Sequence, residues 1–187
     1  MVKKAKAGSR SAFAELVDLF QDDIFKMVFY RTRTQMDAED ITQEVFMQAF
    51  KKLPGLKKVE RFKSWLFSIA INRVRDFSRK KRFRSLFHAS DTGSDFQSFD
   101  PQIEGQPEAV GELVKQDFWK QIGMIMDKLS RMEREVFLLR FLDLLSIREI
   151  SSVLHKNEST IKTYLYRALV KFRQNASTLE LFKEEMP

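Results

Sequence analysis

The stretch that decides the fold is SIREISSVLHKNESTIKTYLYRALVKFR, residues 146–173. It opens on Ser146-Ile147-Arg148-Glu149, an S-x-x-E capping box. In such a box the serine side chain accepts from the N3 amide and the glutamate reaches back to the serine N–H. Ile147, Ile150, Val153 and Leu154 then fall on one helical face, with small Ser151 where a second helix must approach closely. His155-Lys156-Asn157 interrupts the pattern, and Asn157 is a suitable N-cap for a helix from Glu158 whose buried stripe is Ile161, Leu165, Ala168 and Phe172. A short helix, a tight turn and a longer helix make a helix-turn-helix. Glu158, Ser159, Lys162, Thr163, Tyr166 and Arg167 are left facing outward. A helix fits the DNA major groove, where hydroxyl, amine and guanidinium groups reach base edges and phosphates. An ordinary αα-hairpin would give the same spacing, but its solvent face is normally a Glu/Lys mixture.

Working back along the chain, Ser130-Arg131-Met132-Glu133 is a second capping box, and residues 108–129 have helical period at Val110, Leu113, Val114, Phe118, Ile122, Ile125 and Leu129. Before that helix, HASDTGSDFQSFDPQIEGQP (88–107) contains no Lys or Arg and concentrates Ser, Asp, Gly and Pro. It reads as a linker, because it offers too little apolar surface to offset ordering entropy. Upstream of the linker three more helices are expected. The first runs from about Ser11 to Arg33, with Phe13, Leu16, Val17, Phe20, Ile24, Met27 and Val28 on one face. The second starts at Asp37 as N-cap, carries Ile41, Val45, Ala49 and Leu53, and stops at Pro54-Gly55. The third runs from about Arg61 to Arg84. No stretch alternates with period two, so the expected fold is all-α. Two helical domains, 1–86 and 108–187, flank an acidic linker at 87–107.

Charge follows the same division. The chain of 187 residues carries a net +7, but residues 1–86 carry +10, residues 87–118 carry −6 and residues 119–187 carry +3. Two basic surfaces joined by an acidic segment point to a polyanionic partner. The strongest concentration is RFKSWLFSIAINRVRDFSRKKRFR (61–84), where Arg73 to Arg84 has seven cations in twelve residues and one acid, Asp76. Cations alone attract phosphate without regard to sequence. The interleaved aromatics Phe62, Trp65 and Phe67 add platforms for unpaired bases, which suits opened DNA better than intact duplex. Trp65, Leu66 and Ile69 also fit an ordinary core, and Phe62, Phe67 and Asn72 are kept as contact candidates.

Several function classes drop out. There is no cysteine and there are only two histidines, His88 and His155, so thiolate zinc sites, thiol nucleophiles and histidine-rich metal centres are excluded. No P-loop, G-x-G-x-x-G, H-E-x-x-H or G-x-S-x-G motif occurs, so neither catalysis nor a cofactor is expected. Asp37, Glu39, Asp40 and Glu44 invite comparison with the metal site of a nuclease, but acids in a first helical turn are explained by the helix dipole. No apolar run approaches a membrane span, and MVKKAKAGSRSAFAELVDLF has no apolar core ahead of its first acid, so a cytoplasmic protein is expected.

Three segments, DAEDITQEVFMQAFKKL (37–53), FKSWLFSIAINRVRD (62–76) and LSRMEREVFLLRFLDLLSIREISSVLHKNESTIKTYLYRALVKFR (129–173), resemble in order and spacing the extracytoplasmic-function group of bacterial RNA polymerase sigma factors. The resemblance implies that Asp37, Glu39, Asp40, Gln43 and Glu44 dock on the clamp coiled coil of core RNA polymerase. It implies that Lys57 to Trp65, including Arg61, Phe62, Lys63 and Trp65, together with Asn72, Arg73, Arg75, Asp76 and Arg79, opens the minus-10 element of promoter DNA. The helix from Glu158 to Arg173, with Ser159, Thr160, Lys162, Thr163, Tyr166 and Arg167, would read the minus-35 element as duplex. The acidic linker would thread through the polymerase, and an anti-sigma factor is an expected partner. Leu144 and His155 stand where the family usually has glycine, which bears on the pose of the recognition helix. The rival reading is a helix-turn-helix regulator that binds duplex DNA without core polymerase; it leaves the basic-aromatic helix and the acidic linker unexplained.

Overall fold

In the computed structural model the described residues are 1–87 and 125–176, and the first packed element after a short α1 (Val2–Lys6) is α2 (Arg10–Thr32). Ser9 caps α2 by accepting the Ala12 N–H, and the helix ends where Arg33 turns left-handed at φ 68° and donates its N–H to the Phe29 carbonyl. The chain re-enters a helix at once, because Thr34 caps α3 (Gln35–Lys52) by accepting the Asp37 N–H. The expected N-cap at Asp37 is therefore corrected to Thr34. Thr34-x-x-Asp37 is itself a reciprocal cap, in which the Thr34 hydroxyl donates to the Asp37 carboxylate. A 3-10 turn at Leu53–Gly55 closes α3, and a second at Val59–Arg61 leads into α4 (Phe62–Phe87).

These helices share one core. Leu16, Ile24, Met27 and Val28 of α2 are fully enclosed, as are Val45 of α3 and Leu66 and Phe67 of α4. Ala38, Ala49 and Ala70 are also enclosed, and such short side chains let helix backbones approach closely. Of the expected α2 stripe, Leu16, Ile24, Met27 and Val28 are buried while Phe13, Val17 and Phe20 are half-buried; the expected α3 stripe, Ile41, Val45, Ala49 and Leu53, is buried throughout.

Farther along come α5 (Arg131–Phe141), α6 (Ile147–Leu154) and α7 (Glu158–Ala176). Both serine boxes form as written. Ser130 N–H donates to Glu133 at 2.8 Å and Ser146 N–H to Glu149 at 2.9 Å, while the Glu133 and Glu149 amides donate back to the serine hydroxyls. No strand occurs among the described residues, in keeping with the all-α reading. Most of the helix expected at 108–129, and the linker, lie outside the described residues, where only 125–127 are recorded as helical.

Contacts group the chain into two compact units, Met1–Ser90 with Leu139–Glu158 and Asp91–Leu138 with Ser159–Pro187. In the first, α6 packs on α4, which itself packs on α2 and α3. In the second, Lys171 Nζ of α7 donates to buried Glu133 at 2.7 Å, and the rings of Phe137 and Phe172 stack at 5.3 Å.

Candidate nucleic-acid interface

α7 is two-sided. Ile161 and Ala168 have no exposed surface, while Leu165 and Phe172 are half-buried. On the other side Glu158, Ser159, Lys162, Thr163, Tyr166 and Arg167 are all exposed, Tyr166 by 70%, and Thr160 is half-buried. Thr163 Oγ1 donates to the Ser159 carbonyl one turn back, which leaves its oxygen lone pairs for an outside donor.

The turn before α7 takes the left-handed form without glycine. His155 sits at φ 52° and ψ 44°, and its N–H and that of Lys156 both donate to the Ser151 carbonyl. Ser151 then donates its hydroxyl to the Lys156 carbonyl. This is the Schellman pattern that closes a helix on a left-handed residue. Histidine is among the side chains that tolerate positive φ, so the usual glycine is dispensable here.

α4 sorts the minus-10 set by face. Trp65, Asn72, Arg75, Asp76 and Arg79 follow one another at spacings of seven, three or four, and three, so they line one side of the helix. Asn72 and Arg79 are exposed, the other three half-buried, and Arg79 pairs with Asp76 at 3.0 Å. Arg61, just before the helix, is exposed. Lys63 and Arg73 point elsewhere. Lys63 Nζ lies 5.9 Å from the Phe67 ring centre, and Arg73 donates to Gln48 of α3 at 2.7 Å and pairs with Glu44 at 3.5 Å. Phe62 and Phe67 are buried, at 3% and 1% exposure, so the expectation that they stand out as base platforms is corrected. Phe62 is wedged between the Phe20 and Trp65 rings at 5.5 and 5.7 Å, where apolar burial outweighs display. Of the three aromatics expected as base platforms, Trp65 is the one that keeps exposed surface.

The sigma-70 region 2 family model matches residues 16–84, and the sigma-70 region 4 model matches residues 119–172. The chain is 33% identical over 174 residues to the ECF RNA polymerase sigma factor BldN of Streptomyces coelicolor, covering 90% of this chain and 62% of that protein. It is 29% identical over 181 residues to the ECF RNA polymerase sigma factor SigW of Bacillus subtilis, covering 95% and 96%. The chain belongs to the extracytoplasmic-function sigma factors. As a sigma factor it directs RNA polymerase to promoters. A solved structure of the sigma factor RpoE in complex with the anti-sigma factor NepR from Bartonella quintana has the same fold, with a TM-score of 0.66, 22% identity, and coverage of 89% of this chain and 97% of that one.

In this sigma factor α3 presents Glu39, Asp40, Gln43 and Glu44 to solvent, while Asp37 is half-buried and spent on the Thr34 cap. Sequence reasoning missed what lies beside them, an open groove of about 660 Å³ between α2 and α3. Phe13, Val17 and Phe25 line one wall, Phe46, Met47 and Phe50 the other, with Glu39 and Gln43 at its margin. The signal was present. Phe46, Met47 and Phe50 form a second apolar stripe on α3, displaced from Ile41, Val45 and Ala49, and one helix face cannot bury both.

Two carboxyls titrate below their ordinary range. Burial would raise Glu133, but the Lys171 hydrogen bond, the Ser130 amide and hydroxyl, and the Lys171 charge outweigh it. Burial would likewise raise Glu149, and the Ser146 amide and hydroxyl, with the charge of Lys63, bring it down. Both are capping glutamates, so both helix starts depend on the ionised form. No helix among the described residues is long and apolar enough to cross a membrane.

Proposed function

We propose that this sigma factor reads two promoter elements through separate surfaces while docked on core RNA polymerase. α7 lies in the major groove of the minus-35 element, with Lys162 and Arg167 on phosphates or guanine edges and Ser159, Thr163 and Tyr166 at neighbouring bases. α4 holds the minus-10 element after its strands part. Unstacking a base costs a few kcal/mol, and stacking on Trp65, worth about 1–3 kcal/mol, with hydrogen bonds from Asn72 and the charges of Arg61, Arg75 and Arg79, offsets it. The observation that carries the reading is the α4 face from Trp65 to Arg79, on which an exposed amide and cations continue from a half-exposed indole. A regulator that only binds duplex has no use for that face.

The acids Glu39, Asp40 and Glu44, with the amide of Gln43, lie beside the apolar groove and dock on the polymerase clamp, with Asp37 holding the helix start. An anti-sigma factor competes for these surfaces, as the NepR complex of RpoE suggests by likeness. The factor works in the cytoplasm and carries out no chemistry of its own.

The test is permanganate footprinting of promoter complexes formed by core polymerase with this protein. Thymines in the minus-10 element are expected to become reactive with the parent chain and to lose that reactivity with Asn72→Ala. Equal reactivity for the two proteins would refute the assignment of α4.

A further inference from the structure

α1 is only five residues long, yet its placement is tightly specified. At its close the Gly8 N–H donates to the Ala5 carbonyl and the Ser9 N–H to the Lys4 carbonyl, with Gly8 at φ 99°. This is the Schellman turn on a left-handed residue, and it folds α1 onto the start of α2, which Ser9 then caps. On the inner side Ala5 is buried and Val2 half-buried. The half-buried stem of Lys6 carries its ammonium to the Leu56 carbonyl, 50 residues along the chain, where it donates at 2.7 Å. Lys3 and Lys4 are exposed on the outer side. α1 therefore lies against the 3-10 turn at Leu53–Gly55 and the loop 56–58, which leads through Val59–Arg61 into α4.

The charge at this junction is one-sided. The two segments that meet there, VKKAK (2–6) and KKLPGLKK (51–58), hold seven lysines and no acid. All but Lys6 are exposed, and none of the seven forms an ion pair among the described residues. Arg73, Arg79 and Lys171, by contrast, are each matched to a carboxylate. Like charges gathered in this way repel, so the fold alone gains nothing from the cluster. Nor is α1 explained as core, since it buries a single alanine. A polyanion laid across the lysines offsets their repulsion.

The neighbour of the cluster decides which polyanion. Lys57 and Lys58 lead within a few residues to Trp65 and to the α4 face that takes the parted minus-10 strand. Bases that stack on Trp65 are unpaired, so the DNA that runs on past it is a single strand. We propose that α1 is a phosphate track for this strand where it continues from the minus-10 element toward the transcription start. Lys3 and Lys4 take backbone phosphates, and Lys6 is the positioning residue that ties α1 to the loop beside the strand's path. The proposal rests on the minus-10 reading above. It adds a stretch of DNA, outside both promoter elements, that is held without regard to its bases, because ammonium contacts to phosphate carry no sequence information.

Two fluorescent single-stranded probes test the track on the complex of core polymerase with the full chain. A short probe ends at the last base of the minus-10 element, and a long probe carries about six further nucleotides downstream, within the usual span of single-strand sites. Lys3→Gln with Lys4→Gln should leave the affinity of the short probe at the parent value. For the long probe, the slope of log affinity against log salt should become shallower by about 0.7 for each lysine that meets a phosphate. Its advantage at 50 over 200 mM salt then shrinks about 3-fold for one contact and about 7-fold for two. Lys6→Met should flatten the long-probe slope as well, and Lys6→Arg, which keeps a donor for the Leu56 carbonyl, should restore it. Lys26→Gln, at an exposed site on α2, should change neither slope. Helical circular dichroism establishes that each variant is folded, and the two single lysine variants give the reading if the double one is not. A long-probe slope equal to the parent's, an equal flattening by Lys26→Gln, or a loss shared alike by both probes overturns the track and leaves the minus-10 reading standing. A complex that binds the short probe no better than a scrambled one overturns the minus-10 reading and the track with it.

Discussion

Replacing Lys162 or Arg167 with alanine tests the proposed duplex-reading surface, because both side chains are exposed on α7. Exposed substitutions of this kind change stability by no more than about 0.5 kcal/mol, so any large effect belongs to DNA. If a residue neutralises one phosphate, the slope of log affinity against log salt becomes shallower by about 0.9. Across a fourfold change in salt that is a factor of about 3–4 per residue. If it instead grips a guanine edge, the loss is about 1–3 kcal/mol, or roughly 5–150-fold, confined to the cognate sequence. Fluorescence anisotropy of the polymerase complex on cognate and scrambled minus-35 duplexes, titrated from 50 to 200 mM salt, separates these cases. A phosphate contact weakens both duplexes alike and flattens the slope; a base contact removes the difference between them. If both variants keep the parent affinity, slope and discrimination, α7 is not the reading helix.

The other expectations concern the remaining surfaces and the fold. Trp65→Ala should lower the fraction of opened complexes by an amount matching one lost stack, about 1–3 kcal/mol, read by 2-aminopurine fluorescence in the minus-10 strand, with a melting curve to separate this from lost packing against Phe62. His155→Gly should stabilise the chain by up to about 1 kcal/mol, the relief of left-handed strain less the extra freedom of glycine, and raise the thermal midpoint by a few degrees. Glu133 and Glu149 both have lowered folded-state pKa values, so their contribution is present above the ordinary carboxylate pKa and is lost as pH falls through the lowered values. Melting temperature should therefore be insensitive to these groups near neutrality and drop at acid pH. The double variant Glu133→Gln with Glu149→Gln should be less stable at neutral pH and show a shallower acid fall, and an unaltered acid profile would remove these two glutamates from the account.

What could be read from the sequence was local. The two serine–glutamate boxes, the turn at 155–157 and the outward face of α7 depend on side chains three or four residues apart, and each appears where the pattern puts it. What could not be read was non-local. The period of α4 does not say how many neighbours cover it, so Phe62 and Phe67 looked like display residues when they are core. Thr34 and Asp37 both favour helix starts, and only the backbone decides which is the cap. The hydrogen bond from Lys6 to the Leu56 carbonyl joins residues whose sequence neighbourhoods give no hint of each other. The α2–α3 groove was half legible, in that α3 carries more apolar surface than one stripe can bury.

Run-off transcription on genomic DNA fragments by core polymerase with and without this protein tests the central claim most directly. The account predicts new start sites, each preceded by a shared pair of elements at constant spacing, and their loss when Lys162 and Arg167 are both replaced. A polymerase that initiates at the same sites and rates with the protein as without it would contradict the account.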